Sequence, residues 1–252
     1  MSERPENETL EGTPQEGERL AIAARDAQLP LLLVGGVAVW VRCPSARSAP
    51  LSRTYGDADF VGRAGDRKAI TAFMETHGYE PDSLFNAIHG ATRLNYHDRA
   101  RDRPIDVLLD RFKMAHELDL RNRLNVGELT LALADLLLTK LQVVNLNRKD
   151  LIDILALLLD HPLASGEIEP ERILEVTRGD WGFERTIHRT LAAVRERIGE
   201  FALTGDAAAV ILARAQELDA ALASAPKTMA WKLRARVGER VRWYEEPEEA
   251  RA

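Results

Sequence analysis

TYGDADFV (54–61) sets two carboxylates, Asp57 and Asp59, one residue apart inside a run that otherwise reads as a strand. Asp is disfavoured in strands, and the one-residue gap aims both side chains at the same face of a sheet. Paired hard oxygen donors on one face suit a divalent cation. The plain alternative is a strand with one solvated face, because Asp-x-Asp arises readily in a chain carrying 40 acidic residues. The segments on either side decide between the two.

Upstream, ERLAIAARDAQL (18–29) has helical spacing, and Pro30 introduces LLLV (31–34), an apolar run fit for a buried strand. Gly35 and Gly36 follow at once, and GGVAVWVRC (35–43) returns to helical spacing. A glycine pair between a strand and a helix lets the backbone approach a ligand closely, and the helix N-terminus offers free N–H groups to a phosphate. A tight turn with no ligand is the simpler use of such a pair. Neither GxxxxGK[ST] nor GxGxxG occurs, so the glycines belong to neither a P-loop nor a dinucleotide fold.

Downstream, PSARSAPLSR (44–53) reads as a loop, GDRKAITAFMETHGY (65–79) as an amphipathic helix closed by Gly78, and ATRLNYHD (91–98) and PIDVLLD (104–110) as strands. Asp106 is a third acid on a strand, on the face shared with Leu108 and Asp110. A carboxylate among apolar residues needs a partner, either bound cations or an arginine such as Arg103. From residue 124 onward nearly everything has helical spacing, with breaks at HPLASGEIEP (161–170) and near SAPKT (224–228). The expected fold is therefore α+β, a mixed sheet with flanking helices followed by an all-helical domain. Its expected parts are a disordered acidic leader over 1–19 that cannot bury a face, a core over 20–125 and a helical domain over 126–252.

The order strand, Gly-Gly, helix, loop, Asp-x-Asp strand, helix, strand, Asp strand over residues 20–112 resembles the minimal nucleotidyltransferase fold of the DNA polymerase beta superfamily. GGVA (35–38), RTYGDADF (53–60) and DLLLTKLQVVNLNRKDLIDI (135–154) are similar to segments of the AbiEii-type nucleotidyltransferase toxins of type IV toxin-antitoxin systems. That resemblance implies phosphate contact by Gly35 and Gly36 and metal binding by Asp57 and Asp59; read from the residues, Asp106 supplies a third carboxylate, and three carboxylates can hold two Mg2+ ions that bridge an attacking hydroxyl and a nucleotide's phosphates. The resemblance implies that Lys140, with Lys149 beside it, reaches the triphosphate of an NTP, and that Asp150 is the acid of the RKD motif, with Asp153 its rival. It also implies NMP transfer to an acceptor hydroxyl, a tRNA 3' end first, in a toxin-antitoxin or phage-defence setting with an antitoxin protein as partner. The active site is expected in a cleft between the two domains. Read without the family, Lys140 is a helix lysine whose usual fate is to snorkel to the surface, and Lys149 and Asp153 could form an i,i+4 pair.

KTMAWKLRARVGERVRWYEE (227–246) carries six basic residues against Glu239 between 227 and 242. In one continuous helix Lys232, Arg236 and Arg240 form a row beside an apolar stripe of Leu233, Val237, Val241 and Tyr244 that would pack inward. The row offers contacts to an RNA backbone or is simply a solvated face. Arg111 and His116 make R-x-x-x-x-H, which resembles the motif of HEPN ribonucleases, although that motif belongs on a long helix. A net charge of -6 argues against non-specific coating of nucleic acid. The lone Cys43 excludes an internal disulfide, and no apolar run reaches membrane-spanning length, so a cytoplasmic protein is expected. A small-molecule nucleotidyltransferase of the antibiotic-modifying kind, a nucleotide-binding module without turnover, and the HEPN-like ribonuclease are the alternatives.

Overall fold

β1 (Leu31–Val34) is buried along its whole length, the mark of a strand covered on both faces. It is one edge of a five-stranded mixed sheet in the computed structural model, which describes residues 9–246. The strand order is β1, β2 (Ala58–Gly62), β5 (Arg103–Leu109), β4 (Arg93–Asp98), β3 (Glu80–Pro81). β2 runs parallel to β5, and the remaining pairs are antiparallel. Helices α1 (Thr13–Asp26), α2 (Gly35–Arg42), α3 (Arg67–Thr76) and α4 (Ser83–His89) accompany this sheet. The fold is thus α+β, as the interleaving of strand and helix patterns implied. α4 had no counterpart in the sequence reading; Asp82 starts it by accepting a hydrogen bond from the Phe85 N–H.

The chain divides into two units. The first comprises residues up to Arg42, Thr54–Phe112 and Asp119–Leu131; the second comprises Cys43–Arg53, Lys113–Leu118 and the chain from Ala132. The boundary falls at Leu131 rather than 125, because Leu129 to Leu131 run beside β1: the Leu33 N–H donates to Leu129 O and the Leu131 N–H to Leu33 O. The loop over 44–53 is also claimed by the second unit, where the Ser45 N–H donates to Asp160.

The leader needs correction. Residues 1–8 lie outside the described residues, but 9–19 are ordered into the first unit. α1 begins at Thr13, with Pro14 in its first turn where a missing N–H costs nothing. Glu16 is fully buried, accepting from Arg19, from the Tyr79 hydroxyl at 3.0 Å and from the Leu10 N–H. Gly17 packs on Val37, where a Cβ would come within 2.7 Å. The buried guanidinium of Arg103 donates to Leu10 O and Glu11 O. Charge composition hid this because buried Glu16 is compensated partly by Arg19 one turn on and partly by the distant Tyr79 hydroxyl.

A hairpin, β6 (Arg111–Lys113) and β7 (Glu117–Asp119), follows β5. The second unit is helical: α5 (Leu133–Leu141), α6 (Arg148–Asp160), α7 (Pro170–Thr177), α8 (Trp181–Arg197), α9 (Gly205–Ser224) and α10 (Met229–Val237). α5 and α6 are buried almost all round, so their two buried acids, Asp135 and Asp153, must each be compensated. Arg172 bonds Asp135 at 2.8 Å. No helix among the described residues is long and apolar enough to cross a membrane.

Candidate functional site

The sheet of the first unit carries a row of polar side chains across one face. Register pairs Asp59 with Asp106 across β2 and β5, and Asp106 with Asn95 across β5 and β4. All three are half-buried, while their strand neighbours Ala58, Phe60, Ile105, Val107, Leu94 and Tyr96 are buried on the other face. Alternation sets both acids on one face, and the register of β2 on β5 brings Asp59 and Asp106 together there. It does not do so for Asp57, because β2 starts at Ala58 and Asp57 is exposed in the preceding irregular segment. Asp110 likewise falls just past β5, at φ 63°, and accepts from the Ala64 N–H instead of continuing the row.

Gly35 completes this region. It begins α2 at φ 73°, and a Cβ there would lie 2.6 Å from Oδ2 of Asp59. The left-handed backbone and the missing side chain are both used: the chain passes directly over the carboxylate at the start of a helix. Gly36 follows within α2.

Asp106 is already engaged. Arg93 donates to it from Nε at 3.1 Å and from Nη2, and Asn95 Nδ2 donates at 2.7 Å. Arg103 is therefore not its partner: it lies on the buried face of β5, whereas Arg93 and Asn95 alternate onto Asp106's own face of β4. Among the described residues no group of three or more acid, histidine or cysteine side chains is placed to hold a metal ion. The donor chemistry of Asp57, Asp59 and Asp106 fits Mg2+, but the fit is partial, with Asp57 outside the strand and Asp106 committed to an arginine and an asparagine.

In the second unit a different acid is central. Asp153 is 1% exposed; Arg53 donates to it from Nε and Nη2 at 2.9 Å each, and Lys140 Nζ lies 2.8 Å away. Burial pushes the Asp153 carboxyl up, but Lys140 and Arg53 outweigh it and hold the group below the ordinary carboxylate range. Lys140 does not snorkel; its side chain is 12% exposed. Asp150, by contrast, is the third residue of α6 and forms a capping box with Asn147, each side chain accepting the other's backbone N–H. Burial raises its carboxyl, opposed by the Asn147 N–H. Of the two rival acids, Asp153 is the one bonded to Lys140. Lys149 is exposed and is not the partner of Asp153.

The C-terminal basic segment departs from the expected continuous helix. α10 ends at Val237, and Gly238 at φ 61° turns the chain, so Arg240 sits in a separate 3-10 turn rather than in a row with Lys232 and Arg236. The apolar stripe does not pack: Leu233, Val237 and Val241 are exposed. Trp231 and Trp243 are half-buried and bonded through their ring N–H to Glu184 and Thr186. Arg111 and His116 lie on the β6–β7 hairpin, not on a helix; His116 is buried, stacked on Phe183, bonded to Thr186 and held below its ordinary pKa by desolvation. That placement removes the geometric basis of the ribonuclease motif.

Two groups of partners escaped the sequence reading. Arg93 and Asn95 were legible as one face of an alternating strand, but their register to Asp106 was not. Arg53 stood within the RTYGDADF segment with no signal of a partner a hundred residues away. No family model matches the chain, and no curated protein is significantly similar to it.

Proposed function

We propose that this protein is a metal-dependent nucleotidyltransferase that moves a nucleoside monophosphate from an NTP to an acceptor hydroxyl, with an RNA 3' end, tRNA foremost, as acceptor in a toxin-antitoxin or phage-defence setting. The observation that carries the reading is Gly35 drawn over Asp59, with Asp59 in register with Asp106. A helix-initiating glycine pair against two adjacent strand acids puts backbone donors for phosphate beside carboxylate oxygens for a cation. Bound magnesium would neutralise the phosphates and favour ionisation of the attacking hydroxyl, with Asp57, Asp59 and Asp106 as its holders. The acceptor oxygen attacks the α-phosphorus, its bond to the β-bridging oxygen breaks, and pyrophosphate leaves. Asp106 takes the hydroxyl proton after exchanging Arg93 for the acceptor. Gly35 and Gly36 orient the phosphates, and Lys140 is assigned to the triphosphate on the family resemblance alone.

A second reading, nucleotide binding without turnover, is favoured by the engagement of Asp106 with Arg93 and Asn95. Incubation with α-labelled NTPs, Mg2+ and total RNA separates the two. Labelled RNA with wild type and none with Asp59→Ala supports transfer. Nucleotide bound without labelled RNA, or with label on an added aminoglycoside, replaces it with the module or the small-molecule enzyme.

A further inference from the structure

α10 is fixed on one side and bare on the other. Thr228 caps it, Trp231 donates to Glu184 at 3.0 Å, and the Arg234 guanidinium lies 4.8 Å from the centre of the Trp181 ring while donating to Gly238 O and Val241 O. These contacts anchor the face formed by Trp231, Arg234 and Ala235 and so set which residues point away. Met229, Leu233 and Val237, spaced i, i+4 and i+8, are 69%, 56% and 41% exposed, and Val241 after the turn is 58% exposed. Four of the eight exposed large hydrophobic side chains among the described residues are thus gathered in thirteen consecutive positions. Scattered apolar side chains need no explanation, but a stripe aligned on one helix face does.

Cations border that stripe. Lys232 and Arg236 adjoin it on α10 and Arg240 follows in the next turn; all three are exposed, and none enters an ion pair or side-chain hydrogen bond among the described residues. Glu239, the one acid in the segment before Glu245, is occupied by Arg185. The rest of the protein is acidic enough for a net charge of -6, so a local face of three uncompensated cations is out of character with it.

We infer that this face of α10 docks an acidic amphipathic helix of another polypeptide, whose aliphatic side chains cover Met229, Leu233 and Val237 and whose carboxylates meet Lys232, Arg236 and Arg240. Charge complementarity selects the acidic partner, and the helical spacing of the aliphatic stripe selects a helix laid along it. A nucleic acid fits less well. Its phosphates would meet the cations but leave Met229, Leu233 and Val237 uncovered, and the half-buried Trp231 and Trp243 have their ring N–H groups engaged by Glu184 and Thr186. This inference is independent of nucleotidyl transfer.

The test is selection from a displayed library of helical peptides, randomised without charge bias, on the full-length protein. Three baits are compared: wild type, Met229→Ser/Leu233→Ser/Val237→Ser, and Lys232→Ala/Arg236→Ala/Arg240→Ala. Every changed side chain is exposed, so the fold should survive; circular dichroism and the unfolding midpoint verify that. The expected result is a pool rich in Glu and Asp with aliphatic residues at i, i+4 spacing. Individual peptides from it should bind each triple variant at least about tenfold more weakly than wild type, and the cation variant should also lose most of the salt dependence. The inference is overturned if no peptide enriches, if the pool lacks that pattern, or if the variants bind it as wild type does. Two parallel measurements name the rival occupants. tRNA binding lost in the cation variant but kept in the apolar one makes the face a nucleic-acid surface, and a dimer in sedimentation that both variants abolish makes the occupant a second copy of this chain.

Discussion

Asp106 in the sheet unit and Asp153 in the helical unit are both carboxylates set among apolar neighbours, and both are gripped by an arginine through Nε and Nη2. They differ in water. The Asp106 and Arg93 side chains are 21% and 30% exposed, whereas Asp153 is 1% and Arg53 13% exposed with Lys140 as a second cation. A half-exposed pair can part, because solvent takes up either charge at little cost. A buried pair cannot, because separating it strands a charge where desolvation is expensive. The difference teaches which acid is available to chemistry: Asp106 can trade its arginine for a ligand, while Asp153 holds the helical unit together and fixes Lys140 beside it.

Asp153→Ala is expected to have the largest effect, a loss of about 3–5 kcal/mol in urea unfolding, because Arg53 and Lys140 keep charges in a buried place. Adding Arg53→Met should recover part of it. The folded pKa of Asp153 lies below the unfolded one, so its contribution is present above the ordinary carboxylate range and lost as pH falls through the folded value. The gap between wild type and Asp153→Ala should therefore close in acid. A small loss, or a gap that widens in acid, would erase the distinction between the two pairs.

Gly35→Ala comes next, at about 1–3 kcal/mol, from the cost of a left-handed backbone in a residue with a side chain. Part of the effect is the contact with Asp59 Oδ2, so repeating the substitution in an Asp59→Ala background should reduce the loss without removing it. Additive losses would place the two residues out of contact.

Asp106→Asn should change stability by less than about 1 kcal/mol, since the amide still accepts from Arg93 and water reaches the site. If transfer is the activity, turnover should fall far more than nucleotide affinity. Asp57→Ala, at an exposed position outside the strand, should leave the unfolding midpoint unchanged while abolishing transfer. An unfolding loss at Asp106 comparable to that at Asp153 would make both pairs structural.

A small, pH-dependent effect is expected at His188, where the helical unit has a third ion cluster. His188 faces Glu184 and Asp219, with Lys227 on Glu184 and Arg195 on Asp219. The hydrogen bond to Glu184 and the pairing with Asp219 outweigh burial and raise its pKa. Stability from that shift is fully present below the unfolded value near 6.5 and is lost as pH rises through the folded one. His188→Gln should thus cost less than about 1 kcal/mol at pH 6 and less still at pH 9, read as paired melting curves.

Local pattern sufficed for part of this. The apolar run before Gly35, the helix after it, the alternation of 91–98 and 104–110 and the helical spacing beyond 132 each depend on residues a few positions apart, and each became the element it implied; the helical spacing over 124–132 did not, because Leu129 to Leu131 are drawn beside β1. The α+β class follows from them, whereas the meeting of Asp59 with Asp106 is set by the register of β2 on β5. What local pattern could not supply were partners distant in sequence and boundaries decided by a single residue. Arg93 rather than Arg103 holds Asp106 because of strand register, and Arg53 holds Asp153 across a hundred positions. Asp150 became a cap and Asp153 a buried ion because α6 starts at Arg148, which puts Asp150 in the first turn and Asp153 on the packed face beyond it. The leader joined the fold because Glu16 finds Tyr79, and the stripe on α10 stayed in solvent because Trp231 and Arg234 turned the other face inward. Burial is a property of the packed chain, set by which surfaces meet, and periodicity names a face without saying what, if anything, will cover it.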